Sequence, residues 1–314
     1  MEEQPLVTIR CITYNHEPYI RQCLEGFVMQ KTNFKFEAVV HDDASTDKTA
    51  DIVREYAERY PDIIKPIYEI ENQYSKRNTV ISDKINALTK GKYIALCEGD
   101  DYWIDPLKLQ KQVDFLEANP EYGMCYTDYA LTEGKKIRRN YVRNSCDSYL
   151  ADYLEGRCTI ATLTTCFRKD IYDSLPKYWS GKHWAMGDKP MWIELLHVSK
   201  AYYIDEVTAI YRVLSNSASH GSLEKEIAFK KCGLEISKFY KKKFNLEIEI
   251  SNKNHYESIM KSAFQHGNKQ VAKEYFNKAK DEGKLSYKTY FWYAVTIYPF
   301  GDMIVRMIYK IIGK

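Results

Sequence analysis

Lys92-Tyr93-Ile94-Ala95-Leu96-Cys97-Glu98-Gly99-Asp100-Asp101-Tyr102-Trp103 runs an apolar, strand-like stretch straight into three acids within four positions, with two aromatic rings directly after them. Crowded carboxylates repel one another and resist ionisation, so a bound divalent cation is the simplest reason to gather them at a strand end. The aromatic pair suits a platform for a sugar or a base. A solvated acidic turn is the plain alternative, and the surrounding pattern argues against it.

Upstream, Leu6 to Ile12 reads as a strand and Glu17 to Gln30 as a helix. Phe36 to His41 is a second strand, ending in Asp42-Asp43-Ala44-Ser45-Thr46-Asp47. Thr49 to Tyr60 has helical apolar spacing, Ile63 to Ile70 is strand-like, and Ile81 to Leu88 is helical. Downstream, Asp105 and Pro106 form a helix-start signal, and Leu109, Val113 and Leu116 share one face. Tyr122 to Thr127 and Tyr202 to Val213 are further strands, while residues 128–180 carry no regular pattern. Four alternations of strand and helix predict an α/β domain with a mainly parallel sheet flanked by helices. Ligands of such sheets sit outside the carboxyl ends of the strands, which is where Thr13-Tyr14-Asn15, Asp42-Asp43 and Glu98 to Asp101 all fall.

With 314 residues there is material for one large domain or two modest ones. The net charge of +3 hides an asymmetry. Residues 222–314 hold 18 Lys and Arg against 10 Asp and Glu, whereas the preceding part holds 28 against 33. We place a domain boundary near Gly221-Ser222, giving a catalytic domain over 1–221 and an α-helical C-terminal extension over 222–314. The eight cysteines (11, 23, 97, 125, 146, 158, 166 and 232) never form a CxxC pair and read as buried free thiols. Together with the lack of an export signal they predict a cytoplasmic protein. No apolar stretch reaches the ~20 residues of a membrane-spanning helix.

Tyr14-Asn15, the Asp42 to Asp47 run and Glu98-Gly99-Asp100-Asp101-Tyr102-Trp103, in this order at successive strand ends, together resemble the inverting family-2 glycosyltransferases of the GT-A fold. The similarity covers residues 5 to about 220. Its wording, with Asp105-Pro106-Leu107-Lys108 following the last motif, is closest to bacterial enzymes that build capsular and other surface polysaccharides.

The resemblance implies roles for individual positions. Thr13 and Tyr14 would line the base of a nucleotide-sugar donor, and Asp43 would accept from N3–H of uracil, which makes the donor a UDP-sugar. Asp101 would ligate Mn²⁺ or Mg²⁺, and Asp100 would touch the ribose or a metal-bound water. Glu98 stands where the family writes the first acid of Asp-x-Asp. The base that takes the acceptor's proton comes, in the family, from an acid about 90 residues further on. Trp184-Ala185-Met186-Gly187-Asp188-Lys189 matches that segment and assigns the role to Asp188. Gly187 replaces the acid usual before it, and an N-cap for the next helix is the structural alternative for Asp188. In the loop ending Ser219-His220, Arg212 or His220 would contact the diphosphate, and His220 would complete the metal shell. Trp103, Trp184 and Trp192 are either sugar platforms or core.

The basic, aromatic stretch from Tyr290 to Phe300 and on through Met303 to Ile312 is too broken to span a bilayer. It suits either the inner face of a cell membrane, with a lipid-linked saccharide as acceptor, or packing on protein. Nucleic acid is not an expected partner. A nucleotidyltransferase would need a Gly-rich basic loop after the first strand, where this chain has Tyr14-Asn15-His16-Glu17. An inactive scaffold of the same fold would have lost acids at 43, 101 or 188, and all three are present.

Overall fold

The computed structural model describes residues 4–76, 78–133, 136–139, 147–214 and 221–297. His220 and the tail beyond 297 lie outside these residues. The chain divides into two compact units, 1–183 with 190–213, and 184–189 with 214–314. The second unit therefore takes in the short segment 184–189, which the expected boundary near 221 had placed in the first.

The first unit holds β1 (Val7–Thr13), α1 (Ile20–Val28), β2 (Phe36–Asp42), α2 (Thr49–Arg59), β3 (Ile64–Tyr68), α3 (Val80–Leu88), β4 (Tyr93–Leu96), β5 (Tyr102–Trp103) and α4 (Lys108–Ala118). Then come β6 (Tyr122–Glu133), β7 (Lys136–Arg139), β8 (Asp147–Ser148), α5 (Leu150–Leu154), β9 (Thr165–Arg168) and α6 (Lys169–Ser174). Next, α7 (Asp188–Val198) begins in segment 184–189 and leads to β10 (Lys200–Arg212). The sheet order is β3-β2-β1-β4-β9-β6-β10-β5, with β7 on β6 and β8 on β10.

β1 sits centrally because it is buried on both faces. Val7, Ile9 and Cys11 enter the core, and Thr8 is equally buried, its hydroxyl donating to Glu37 Oε1 at 2.8 Å. Ile20, Leu24 and Phe27 of α1, Val53 and Tyr56 of α2, and Leu109, Val113 and Leu116 of α4 complete that core. The pairing registers level the strand ends, with Thr13 opposite Asp42 and Asp42 opposite Tyr68. That alignment brings the polar clusters together.

The sheet is mixed. β3, β2, β1 and β4 run parallel, as do β6 and β10, but β9 lies antiparallel between β4 and β6. Thr165-Cys166-Phe167-Arg168 is too short to carry a readable alternation. The helix expected at Asp105-Pro106 begins at Lys108. Asp105 is drawn toward β10, its N–H donating to Thr208 O at 3.3 Å, and its carboxylate accepts from Leu107 N at 2.9 Å in a turn ahead of the helix.

The second unit carries α8 (Leu223–Lys243), α9 (Asn252–Gln265), α10 (Lys269–Asp281) and α11 (Tyr287–Ile297). Ser222, Ser251 and Asn268 cap the first three through their side chains. Met260, Ala263, Ala272, Tyr275, Phe276 and Ala279 form its core. No helix among the described residues is long and apolar enough to cross a membrane.

Candidate active site

Two loops at the carboxyl ends of β1 and β2 are laced together. Asn15 N–H donates to Ser45 Oγ at 2.9 Å, Thr46 N–H to Asn15 Oδ1 at 2.8 Å, and His16 N–H to Thr49 Oγ1 at 2.8 Å. Asp47 accepts from both Glu17 N, at 3.1 Å, and Thr49 N, at 2.9 Å. Asn15 and Ala44 both take positive φ, +53° and +62°. An L-residue other than Asn, Asp or Gly adopts that conformation only where its surroundings enforce it, and here the crossed hydrogen bonds do so.

Thr13 is buried, with Oγ1 3.1 Å from His16 Nδ1, and its carbonyl accepts from Asp43 N at 3.0 Å. Tyr14 is exposed, so its ring is open to a ligand. Asp43 is turned inward, each carboxylate oxygen accepting a loop amide: Gln73 N at 2.7 Å and Tyr74 N at 3.0 Å. It thereby shapes the loop after β3, using one lone pair of each oxygen. The neighbouring Asp42 accepts from Ser45 N, while its buried Oδ1 has no partner among the described residues.

The loop after β4 presses against the same place. Gly99 N–H donates to Ile12 O at 3.0 Å, and a β-carbon on Gly99 would lie 2.5 Å from Thr13 Oγ1. Only glycine fits that contact without moving backbone. Asp101 is 3% exposed, and Oδ1 accepts from Arg212 N at 2.8 Å. Burial pushes its carboxyl well above the usual range, reinforced by Asp100 and Glu98, while Arg212 pulls the other way. The turn therefore disfavours the ionised form of Asp101 unless a cation stands beside it.

Arg212, at the end of β10, is the clamp of this turn. Its guanidinium donates to Asp100 O and to Gln22 Oε1 and lies 4.3 Å from the Tyr102 ring centre and 5.2 Å from that of Tyr19. One internal partner on each terminal nitrogen still leaves N–H groups of this five-donor fork for the diphosphate contact expected of Arg212. Sequence reasoning missed His16, Tyr19 and Gln22, which complete the arrangement. The imidazole of His16 faces Asp100, Asp47, Arg212 and Asp42, and burial lowers its basicity against the pull of the acids. The one signal for it was its place two residues after Tyr14.

Trp103 and Trp192 are core residues. Trp103 Nε1 donates to Leu163 O at 2.8 Å and its ring meets Phe27 edge-on at 5.1 Å, while Trp192 is fully buried. Trp184 packs on Phe239 and Tyr240 of α8. Asp188 is the first residue of α7, half-buried, and its Oδ1 accepts from Lys189 N at 2.7 Å. It therefore stands inside the first turn of the helix, one position past the N-cap expected as its structural alternative.

Among the described residues no three His, Cys, Asp or Glu side chains converge into a cage for a metal ion. The Glu98–Asp101 turn offers a single buried carboxylate with two acids beside it. That donor set fits a hard divalent cation that draws most of its shell from a ligand's phosphate oxygens.

An uncharacterised Mycobacterium tuberculosis protein, Rv1520, is 48% identical over 173 residues. The match covers 54% of this chain and 49% of the relative, so the chain spans about half the length of those curated relatives. Bacillus subtilis EpsE, provisionally named a glycosyltransferase, is 29% identical over 69% of this chain and 76% of its own. Among solved structures, a mannosyltransferase from Pyrobaculum calidifontis in complex with GDP-Man and Mn²⁺ aligns over 96% of this chain and 87% of its own, with a TM-score of 0.60 and 18% identity. Staphylococcus aureus TarS with UDP-GlcNAc aligns over 93% and 79%, with a TM-score of 0.56 and 15% identity. These two establish the GT-A fold. The profile of glycosyl transferase family 2 matches residues 8–174, from within β1 to the end of α6. It thus takes in the three strands whose ends carry the polar clusters, and on that match, over more than half its length, the chain belongs to glycosyl transferase family 2.

Proposed function

We propose that this protein transfers a sugar from a nucleotide donor, a UDP-sugar, to a saccharide hydroxyl with inversion at the anomeric carbon. The observation that carries the reading is Asp101: a buried carboxylate, crowded by Asp100 and Glu98, at the carboxyl end of the strand beside β1. A carboxyl in such surroundings ionises readily once a cation stands beside it, and that is what a divalent metal would supply. Asp101 would hold Mn²⁺ or Mg²⁺, with His220 as its second protein ligand. When bound, the cation supplies charge neutralisation for the departing nucleoside diphosphate.

The chain's own residues do the rest. Tyr14 and Thr13 orient the base, with Asp43 accepting from it through the lone pairs that the loop amides leave. Arg212 holds the acidic turn in register with β10, so Asp100 and Asp101 meet the donor in one fixed geometry. Asp188 takes the proton from the attacking hydroxyl, on the face of the sugar opposite the leaving group. The acceptor is a saccharide or lipid-linked saccharide of a surface polysaccharide such as a capsule, reached from the cytoplasm, with the basic C-terminal unit on the inner membrane surface.

The test is a panel of nucleotide sugars titrated with and without Mn²⁺. Metal-dependent binding of a UDP-sugar, lost in Asp101→Ala and retained in Asp188→Ala, is the expected result. Absence of binding by every nucleotide sugar would overturn the reading, and preference for a guanosine donor would overturn the role of Asp43.

A further inference from the structure

His16 stands where the loops after β1 and β4 meet, and the transfer chemistry described above gives it no task. Its backbone is held on both sides. The N–H donates to Thr49 Oγ1 at 2.8 Å, and the carbonyl accepts from Tyr19 N and Ile20 N, both at 2.8 Å, as α1 begins. The ring is held as well. Nδ1 lies 3.1 Å from Thr13 Oγ1, a β-carbon on Gly99 would lie 3.0 Å from the same nitrogen, and the Tyr19 ring meets the imidazole edge-on with centres 6.4 Å apart. An imidazole fixed in this way keeps its orientation before any ligand arrives, so little binding energy goes into ordering it.

The partner of Nδ1 decides where the ring proton sits. Thr13 is fully buried, so its hydroxyl needs an acceptor inside the protein, and among the described residues Nδ1 provides it. A ring nitrogen that accepts carries no hydrogen, which puts the proton of the neutral imidazole on Nε2. Nε2 has no partner among the described residues and is not sealed from solvent. The half-buried ring therefore presents one fixed, open donor.

Its surroundings select the ligand atom. The ring lies against Thr13, which with Tyr14 is assigned to the base, and against Gly99, which leads directly into Asp100, assigned to the ribose. Between its base and its diphosphate a nucleotide offers ribose hydroxyls, each able to accept one hydrogen bond and donate another. We propose that His16 is a further donor-binding residue, its Nε2–H donating to a ribose hydroxyl that in turn donates to the Asp100 carboxylate. This rests on the transferase reading, which puts a ribonucleotide in the crevice.

The test is calorimetric titration of the full chain, in the presence of Mn²⁺, with UDP, with GDP, and with the 2′-deoxy and 3′-deoxy analogues of each. Two variants separate contact from packing: the amide of His16→Asn still reaches Thr13 Oγ1 but not the place of Nε2, whereas that of His16→Gln reaches the latter. For the base that binds better, the parent should lose affinity with at least one deoxy analogue. In His16→Asn that loss should shrink by about three- to tenfold, the worth of one neutral hydrogen bond. His16→Gln should restore part of the difference. A histidine that only packs would weaken the parent nucleotide and its analogues alike, and unchanged ratios in His16→Asn overturn the proposal. A parent indifferent to both deoxy analogues overturns it too. Should His16→Asn fail to fold, His16→Phe, which keeps the ring volume and lacks both nitrogens, carries the same comparison. Turnover of a nucleotide sugar with unchanged ratios sinks the role of His16 and leaves the transferase reading standing. No binding of any of these nucleotides overturns both.

Discussion

A carboxylate at 3% exposure with one backbone amide as partner, as Asp101 is, exchanges stability for function. Asp101→Asn keeps an acceptor for Arg212 N and removes a carboxyl whose ionisation burial and the neighbouring acids make costly. Thermal melts without nucleotide or metal should therefore give a Tm a few degrees higher, while metal-dependent donor binding is lost. A lower Tm together with intact binding would contradict both halves of the argument. Asp188→Asn should retain donor affinity and lose about 10²–10⁴-fold in kcat, the range of general base catalysis, as read by steady-state kinetics. The acids at 43, 100 and 101 stood out in the sequence because clustered carboxylates at strand ends have few structural uses, whereas Asp188 was singled out by the family resemblance alone. The clamp role of Arg212 was not legible, since its partners Gln22 and Tyr19 lie 190 and 193 positions away in the chain and no local pattern connects them.

At the scale of elements, the loops after β1 and β4 meet at Gly99. Gly99→Ala places a β-carbon 2.5 Å from Thr13 Oγ1 and 2.6 Å from its Cβ, forcing the acidic turn away from β1. Denaturant unfolding should record a loss of about 1–3 kcal/mol, with donor binding weakened as well. Unchanged binding would mean that the turn tolerates displacement. The parallel strands β1 to β4 were readable from their alternation with helices. β5 and β9 were not, because two- and four-residue strands are defined by their neighbours: β5 exists through its pairing with Ala209 and Ile210 of β10. The helix start expected at Asp105 failed for a related reason. The amide of Asp105 pairs with Thr208 of β10 while its carboxylate accepts from Leu107 N in a turn, and the regular helix follows from Lys108.

For the whole molecule, buried titratable groups set how stability varies with alkaline pH. Burial lowers the fully buried Lys108 to about 8 from 10.5, with its ammonium 2.6 Å from Gln112 Oε1. Between those values the unfolded chain binds more protons, so Lys108 adds stability as pH rises through that window. Its full excursion is on the order of 3 kcal/mol. The buried thiols Cys97 and Cys166, both raised to about 12, act oppositely: the unfolded chain loses their protons first, and their contribution falls as pH rises above about 9. Lys108→Met removes the rising contribution alone, so its unfolding free energy should fall more steeply than the parent's between pH 8 and 10.5. Denaturant midpoints across that range provide the check, and parallel profiles would show that Lys108 is not titrating there.

The sequence by itself determined the alternation of strand and helix, the family, and which acids stand at the strand ends, because each of these follows from local periodicity or from residue types clustered within a few positions. The tertiary structure alone decided which side chains oppose one another across long separations. It turned Asp43 onto the amides of Gln73 and Tyr74, seated Arg212 on the Asp100–Asp101 turn, and sent Trp103 and Trp192 into the core. It also grouped 184–189 with the helical unit. Contacts of this kind arise from packing between distant segments, and no pattern within a short window of sequence encodes them.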